Sequence, residues 1–306
     1  MAPMISSGFA DLLLPTFEEV WDSEYPHEPD MIPMVYDVVP TNGREIMTFT
    51  SVGTMSDFEP FTGSIPFDEF FQGYDTTLTP LEFAKGFEVQ RKLYDDEQYQ
   101  AFSQRPRQLK QAAWRTHQKH AARIFNNGFS NDTFFYVNSE GVPLFSDSHT
   151  TTSNASTAVG FDNYITQAFS TVSLKTARIL ASTFKGDQAE RINLKLDTLL
   201  YPPDLYEEVH EVVESAGNPD DSTNAANVHM GGYKKWEWGY LQDASTVNWF
   251  VLDSMMMKQF LKWTWRVPLE FGAIEDFDTL VAKFRAYNRY GACWTNWRIG
   301  VGAEVG

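Results

Sequence analysis

Cysteine occurs once in the 306 residues, as Cys293. That scarcity excludes an intrachain disulfide and any cysteine-built zinc site, and it leads us to expect folding in a reducing cytoplasm. Basic side chains are almost missing from the first part of the chain: before Lys85 the single Lys or Arg is Arg44, against fifteen Asp and Glu. No stretch approaches the roughly 18 apolar residues of a membrane-spanning helix, so a soluble protein is expected. The opening Met-Ala-Pro-Met-Ile-Ser-Ser has no basic n-region, and Leu12-Leu13-Leu14 is too short for a secretory h-region. No Gly-x-x-x-x-Gly-Lys loop occurs, and Gly300, Gly302 and Gly306 neither reproduce Gly-x-Gly-x-x-Gly nor precede a helix. Nucleotide binding therefore has no support in the sequence.

What the chain does have is apolar and aromatic surface. Hydrophobic residues make up 42% and aromatics 15%, enough for a sizeable core with large rings left for subunit contacts, where aromatics are enriched. The net charge of -17 is unevenly placed, with about -14 of it before Lys85. From Lys85 to Arg123 the sign reverses: Lys85, Arg91, Lys92, Arg105, Arg107, Lys110, Arg115, Lys119 and Arg123 face only Glu88, Asp95, Asp96 and Glu97. An acidic arm and a basic spine could attract each other between subunits, or form two solvated faces of one monomer.

Residues 1 to about 40 are dense in Pro, Asp, Glu and Met and show neither a helical nor a strand period, as an arm that docks on something would. Ile46 to Val52, followed by Phe58, Phe61, Ile65, Phe67, Phe70 and Phe71 with Gly53, Gly63, Pro66 and Gly73 between them, predicts a long two-stranded excursion. Such a hairpin is marginal alone in water, so its rings need a partner surface. A helix is expected after Pro80, with Phe83, Phe87, Tyr94, Ala101 and Phe102 on one stripe. Pro106 should interrupt it, and Leu109, Ala113, Ala121, Ile124 and Phe125 resume it up to Asn126-Asn127-Gly128, giving a kinked rod of about 60 Å.

Further helices are expected around Ala168 to Phe184 and from Pro202 through Val212. Strands are expected at Ile192 to Leu196, around Trp236 and Trp238, at Val247 to Leu252, and from Leu280 to Val301 with a break at Gly291. Helices and strands are segregated, which makes the class α+β.

Candidate chemistry is thin. His117 and His120 have a spacing that could hold a metal, but Arg115, Lys119 and Arg123 beside them would repel a cation, so a solvated basic face is the expectation. Glu207-Glu-Val-His210 has the Glu-x-x-His spacing of di-iron bundles. The one other match, Glu24 to His27, contains Pro26, so the required pair is missing. Asp147, Ser148 and His149 supply the residue types of a hydrolase triad without a nucleophile elbow. Trp236, Trp238, Trp249, Trp263, Trp265, Trp294 and Trp297 could form a sugar-stacking platform, but core and interface packing is the expected role. No cofactor and no metal are expected, and no enzyme.

Several pieces in order give the chain a resemblance to tailed-phage major capsid proteins of the Mu-like major head subunit type. Asp57 to Tyr74 resembles the extended loop of that family. Thr79 to Phe87 resembles the approach to its spine helix, and Arg91 to Tyr99 an acidic stretch within that helix. Gly141 to His149 resembles the loop that follows, and Phe284 to Val301, with Tyr290-Gly291 and Trp297-Arg298, the strands returning to the peripheral domain.

The resemblance implies the Hong Kong 97-type fold, with an N-terminal arm at 1–40, an extended β loop at 41–78, a peripheral domain with the spine helix at 79–189, an axial domain at 190–275 and return strands at 276–306. It implies a shell subunit forming hexamers and pentamers of an icosahedral head in the virion, made in the host cytoplasm. It further implies packaged double-stranded DNA on the inner face and possible scaffolding, portal and decoration proteins, with no membrane. The arm and loop of one copy would lie on the spine of its neighbours. The interface residues are then Phe58, Phe61, Phe67, Phe70 and Phe71 on the loop and Arg91, Lys92, Arg105 and Arg107 on the spine.

Family members that weld their shells use a lysine in the extended loop, and this loop has none. The first 40 residues are too short and proline-rich for a cleaved helical scaffold, so any scaffold should be separate. An encapsulin-like compartment is the alternative within the fold; a carbohydrate-binding protein or glycoside hydrolase is the alternative from another class.

Overall fold

The computed structural model describes residues 9–22, 29–65, 67–68, 71–90, 92, 104–217, 226–276 and 281–306. The longest strands come from the alternating C-terminal stretches. Strand β11 (Val281–Trp294) turns Ala282, Phe284, Ala286, Asn288 and Tyr290 inward, a strict period of two. It pairs antiparallel with β10 (Leu261–Asp276) on one side and with β4 (Leu81–Gln90) on the other, while β1 (Asp37–Pro40) lies parallel to the first residues of β10. The order is β1-β10-β11-β4.

Helix α3 (Arg105–Asn126) lies across this sheet and buries Leu109, His117, Ala121, Ala122, Ile124 and Phe125. Beside it runs α1 (Phe9–Asp22). Its Phe17 packs with Val89, Ala282 and Phe284, and its Trp21 with Leu109 and Ala286. The short helix α2 (Ile32–Val35) joins the main core, and its following Tyr36 donates a hydrogen bond to the Ala121 carbonyl at 2.5 Å.

The other half is a five-stranded sheet of order β6-β12-β9-β7-β8, built from β6 (Tyr164–Ile165), β7 (Thr198–Tyr201), β8 (Lys234–Glu237), β9 (Trp249–Leu252) and β12 (Gly300–Ala303). Every residue of β7, β9 and β12 is buried, as expected of inner strands covered on both faces. Helix α4 (Thr171–Ser182) begins at a Ser170/Ser173 capping box, and α5 (Tyr206–Glu214) turns Val209, Val212 and Val213 inward. Asp253 caps α6 (Ser254–Phe260) through the Met255 and Met256 amides. The third sheet, β2-β3-β5, joins β2 (Met47–Val52), β3 (Gln72–Leu78) and β5 (Tyr136–Asn138).

The α+β class holds, and so do the helices expected near Ala168 and Pro202. Several local expectations fail. Residues 81–90 are a strand rather than the start of the spine helix: Phe83 and Phe87 lie four apart but also fit the alternation Leu81, Phe83, Phe87, Val89, and ten ladder positions along β11 decide for the strand. Pro106 stands in the first turn of α3, where a missing amide costs nothing, so the helix described begins at the place expected to divide the rod, and residues 93–103 before it lie outside the described residues. The described helix is thus about 33 Å long at about 1.5 Å per residue, not 60 Å.

The arm does contain a helix, α1, which runs through Pro15. Strand β11 passes through Gly291 without a break, and Ile192 to Leu196 lie outside the regular strands. Tyr94, Ala101, Phe102 and the acidic stretch at Asp95 lie outside the described residues.

Candidate assembly surface

Between β2 and β3 the chain leaves the body as a loop, residues 53–71. Its sequence has apolar rings but no partner strand to bury them, so Phe58, Phe61 and Phe67 stand in solvent at 107%, 73% and 88% exposure. Met55 and Ile65 are exposed as well, and Phe71, at the root, is half-buried. Gly63, at φ +111°, makes the turn at the tip. Asp68 clips the two limbs by accepting from the Ser56 amide at 2.7 Å and from its hydroxyl at 2.9 Å. Covering one such ring on a partner is worth about 2 kcal/mol. Phe70 lies outside the described residues.

The root of the loop is fastened firmly. The Gly53 amide donates to the Phe71 carbonyl at 2.9 Å, Thr152 Oγ1 to the Gln72 carbonyl at 2.8 Å, and the Asp187 amide to Thr54 Oγ1 at 2.8 Å. Tyr74 and Thr150 share a hydroxyl hydrogen bond of 2.6 Å. Behind these contacts Arg298 pairs with Asp187 at 3.1 Å, and His149 Nδ1 pairs with Glu140 at 3.1 Å, both side chains buried. Glu140 also accepts from the Thr150 amide at 2.8 Å. Spacing arguments could not find this fastening, because Thr54 and Asp187 are 133 residues apart.

Of the basic residues, Arg105 and Arg107 sit exposed in the first turn of α3, where Arg105 donates to Gln108 at 3.3 Å. Lys92 is exposed, and Arg91 lies outside the described residues. Lys110 donates to the Trp21 carbonyl, which ties the spine to α1. The arm helix therefore rests on the spine and sheet of its own chain. Phe17 and Trp21, 1% and 8% exposed, are already buried there, with Trp21 stacked on Phe271 at 4.9 Å, so this part of the arm does not need a neighbour.

His117 and His120 are not on a solvated face, as the sequence suggested. Asn288 donates to His117 Nε2, and His120 Nδ1 shares a 2.7 Å hydrogen bond with the Tyr290 hydroxyl, both within an aromatic cluster. Burial, and the neighbouring His120 for His117 and Arg123 for His120, lowers both from the ordinary 6.5 to about 4. The triad types do not converge: Asp147 and Ser148 are exposed, while His149 faces Glu140. His210 pairs with Glu214 at 2.7 Å. Among the described residues no group of three or more His, Cys, Asp and Glu could hold a metal. Trp238, Trp249, Trp263, Trp294 and Trp297 are all buried, which leaves no sugar-stacking platform of those rings.

The surface on offer is thus a projecting aromatic loop and a basic helix start on a body with a filled core. The sequence matches no curated protein. The fold is similar to that of the bacteriophage PhiM1 mature capsid (TM-score 0.57, 10% identity, 93% of this chain and 89% of that one). It is also similar to the capsid of a native GTA particle (0.54, 13%, 92% and 95%) and to the procapsid of bacteriophage JBD30 (0.51, 11%, 97% and 75%). Residues 73–302 match the family model described as phage capsid protein, so the chain belongs to the phage capsid protein family and is a structural subunit of a phage head, not an enzyme.

Proposed function

We propose that many copies of this chain form hexamers and pentamers that close into an icosahedral head around double-stranded DNA. The observation that carries this reading is the loop at 53–71, whose Phe58, Phe61 and Phe67 stand exposed on the chain yet whose root is fastened by hydrogen bonds. A loop of that kind is built to be covered by a neighbour, and several such contacts per copy add up to a stable shell although each is weak.

The loop residues Phe58, Phe61, Phe67, Phe70 and Phe71 would meet the neighbour, and Arg91, Lys92, Arg105 and Arg107 would help receive it. We assign 1–40 to the arm, 41–78 to the extended loop, 79–189 to the peripheral domain, 190–275 to the axial domain and 276–306 to the return strands. The range 190–275 includes strands of both large sheets, β7 to β9 and β10.

With a net charge of -17 the packaged DNA would be held loosely and without sequence preference. A separate scaffolding protein, a portal and decoration proteins are the further partners we propose, with synthesis in the host cytoplasm. Electron microscopy of the purified protein tests the reading: capsomers or shells are expected, and a protein that stays monomeric at all concentrations would refute it. Charge reversal at Arg105 and Arg107 should reduce particle yield in sedimentation while leaving the far-UV spectrum of the subunit unchanged.

A further inference from the structure

Two Asn-Gly pairs occur in the chain, Asn42-Gly43 and Asn127-Gly128. In such a pair the glycine amide can attack the preceding side chain, because no β-carbon blocks its approach. Asparagine is thermolabile through this reaction. The fold treats the two pairs in opposite ways.

Asn42 and Gly43 are exposed, with φ of +48° and +82°, and the Arg44 amide donates to the Thr41 carbonyl at 3.0 Å across them. Both central residues are left-handed, as in a type I′ turn. The strands on either side belong to different sheets, since β1 pairs with β10 and β2 with β3. No ladder between β1 and β2 holds the turn shut. Among the described residues neither the Asn42 side chain nor the Gly43 amide has a hydrogen-bond partner. A β-carbon placed on Gly43 would stand 3.8 Å from Arg266 Nη1. Arg266 is the extra residue where the β10–β11 register shifts between Trp265 and Val267, a bulge of the kind that re-aims a side chain.

Asn127 is held instead. Its Nδ2 donates to Asp132 at 3.1 Å, and the Gly128 amide donates to the Phe125 carbonyl at 3.0 Å. A β-carbon on Gly128 would stand 2.8 Å from the Phe145 ring, so the surroundings are tight. Here the attacking nitrogen is engaged and the leaving amide is clamped beside a carboxylate.

We infer that Asn42 is a site of self-modification, where the side-chain amide is converted to a carboxylate through a cyclic imide while Asn127 is spared. The Gly43 amide gives its proton to hydroxide, and its nitrogen bonds to Asn42 Cγ. The Cγ–Nδ2 bond breaks, and Nδ2 leaves as ammonia with a proton from water, which restores the hydroxide. Water then opens the imide. Breaking the new N–Cγ bond leaves aspartate at position 42. Breaking the bond from that nitrogen to the backbone carbonyl carbon leaves isoaspartate, whose main chain runs through Cγ and is one carbon longer. Either route consumes a water, releases an ammonia and adds a negative charge. Arg266 and the adjoining Arg44 stabilise the anions that form on the way. The added charge and carbon lie in the connection into β2, ahead of the projecting loop.

Peptide mass spectrometry of the dissociated full chain, kept at mildly alkaline pH both folded and in urea, tests the site. In urea the two pairs should react at similar rates. In the folded chain Asn42 should react more than about tenfold faster than Asn127, with isoaspartate among its products and a rate that rises with pH. Asn42→Gly, which suits the positive φ, should abolish the acidic form seen in isoelectric focusing and leave the melting temperature unchanged. Equal rates at both pairs in the folded chain, or a folded Asn42 that is silent while the unfolded one reacts, would overturn the inference. So would an acidic form that persists in Asn42→Gly. None of these outcomes bears on the shell reading, because the reaction needs no second copy.

Discussion

His149 lies flat on Trp297, with ring centroids 4.4 Å apart and planes 7° from parallel, and the Arg298 guanidinium stands 4.6 Å from the centre of the same indole. Through these two residues the loop root is joined to the body on both sides, by Glu140 and Thr150 beyond His149 and by Asp187 and Thr54 beyond Arg298. A buried pair of this kind costs more to break than it contributes when formed, because the remaining charge is left without its partner.

Arg298→Met should therefore destabilise the dissociated subunit by about 3 kcal/mol in urea unfolding. It should also speed proteolytic cleavage within 53–71, since the fastening at Asp187 and Thr54 is lost. Unchanged cleavage would show that the arginine does not hold the loop.

Acid should weaken the spine. His117 and His120 titrate near 4 in the folded chain against 6.5 when unfolded, so between these values the unfolded chain binds more protons. The stability they allow is whole above about 6.5 and falls away as the pH drops toward 4. Melting temperatures of the dissociated subunit should follow this, and His117→Gln combined with His120→Gln should flatten the slope in that window. An equal slope in the double variant would count against these two groups.

Trp21→Ala should cost about 3 kcal/mol, as truncation of a buried ring does, and release α1 to proteases. Phe58→Ala should leave the melting temperature of the subunit within error and lower only assembly, because that ring touches nothing to lose. The pair separates surface kept for the fold from surface kept for partners.

At Gly291 a β-carbon would come within 2.9 Å of Leu78 Cδ1 and 3.4 Å of the Pro80 Cα. The corner between β3 and β4 crosses β11 at this point, so Gly291→Val should cost about 2 kcal/mol through overpacking, read from denaturant midpoints. The glycine marks a close approach, not the strand break that the sequence suggested.

That difference shows what was legible. Elements such as α5, whose burial follows one helical period, and β9, a short continuous apolar run, are readable because their neighbours agree with the local pattern. The exposed Phe58, Phe61 and Phe67 were readable as well, since no nearby alternation could bury them. Strand β4 was not: its Phe83 and Phe87 satisfy a helix and a strand equally, and the ladder that decides lies about 200 residues onward in β11. The burial of His117 and His120 was hidden for the same reason, because Asn288 and Tyr290 arrive from β11. The arm helix is masked by Pro15 and by acidic charges that suggest an attraction to a basic spine, whereas Phe17 and Trp21 do the docking.

The position of α1 has a consequence for synthesis. It emerges from the ribosome long before the β10–β11 hairpin that it covers, and β12, which fills the sheet between β6 and β9, comes later still. A fragment released early would keep Phe17 and Trp21 bare and leave a missing slat in the five-stranded sheet. Completion of translation thus becomes the gate to a finished subunit.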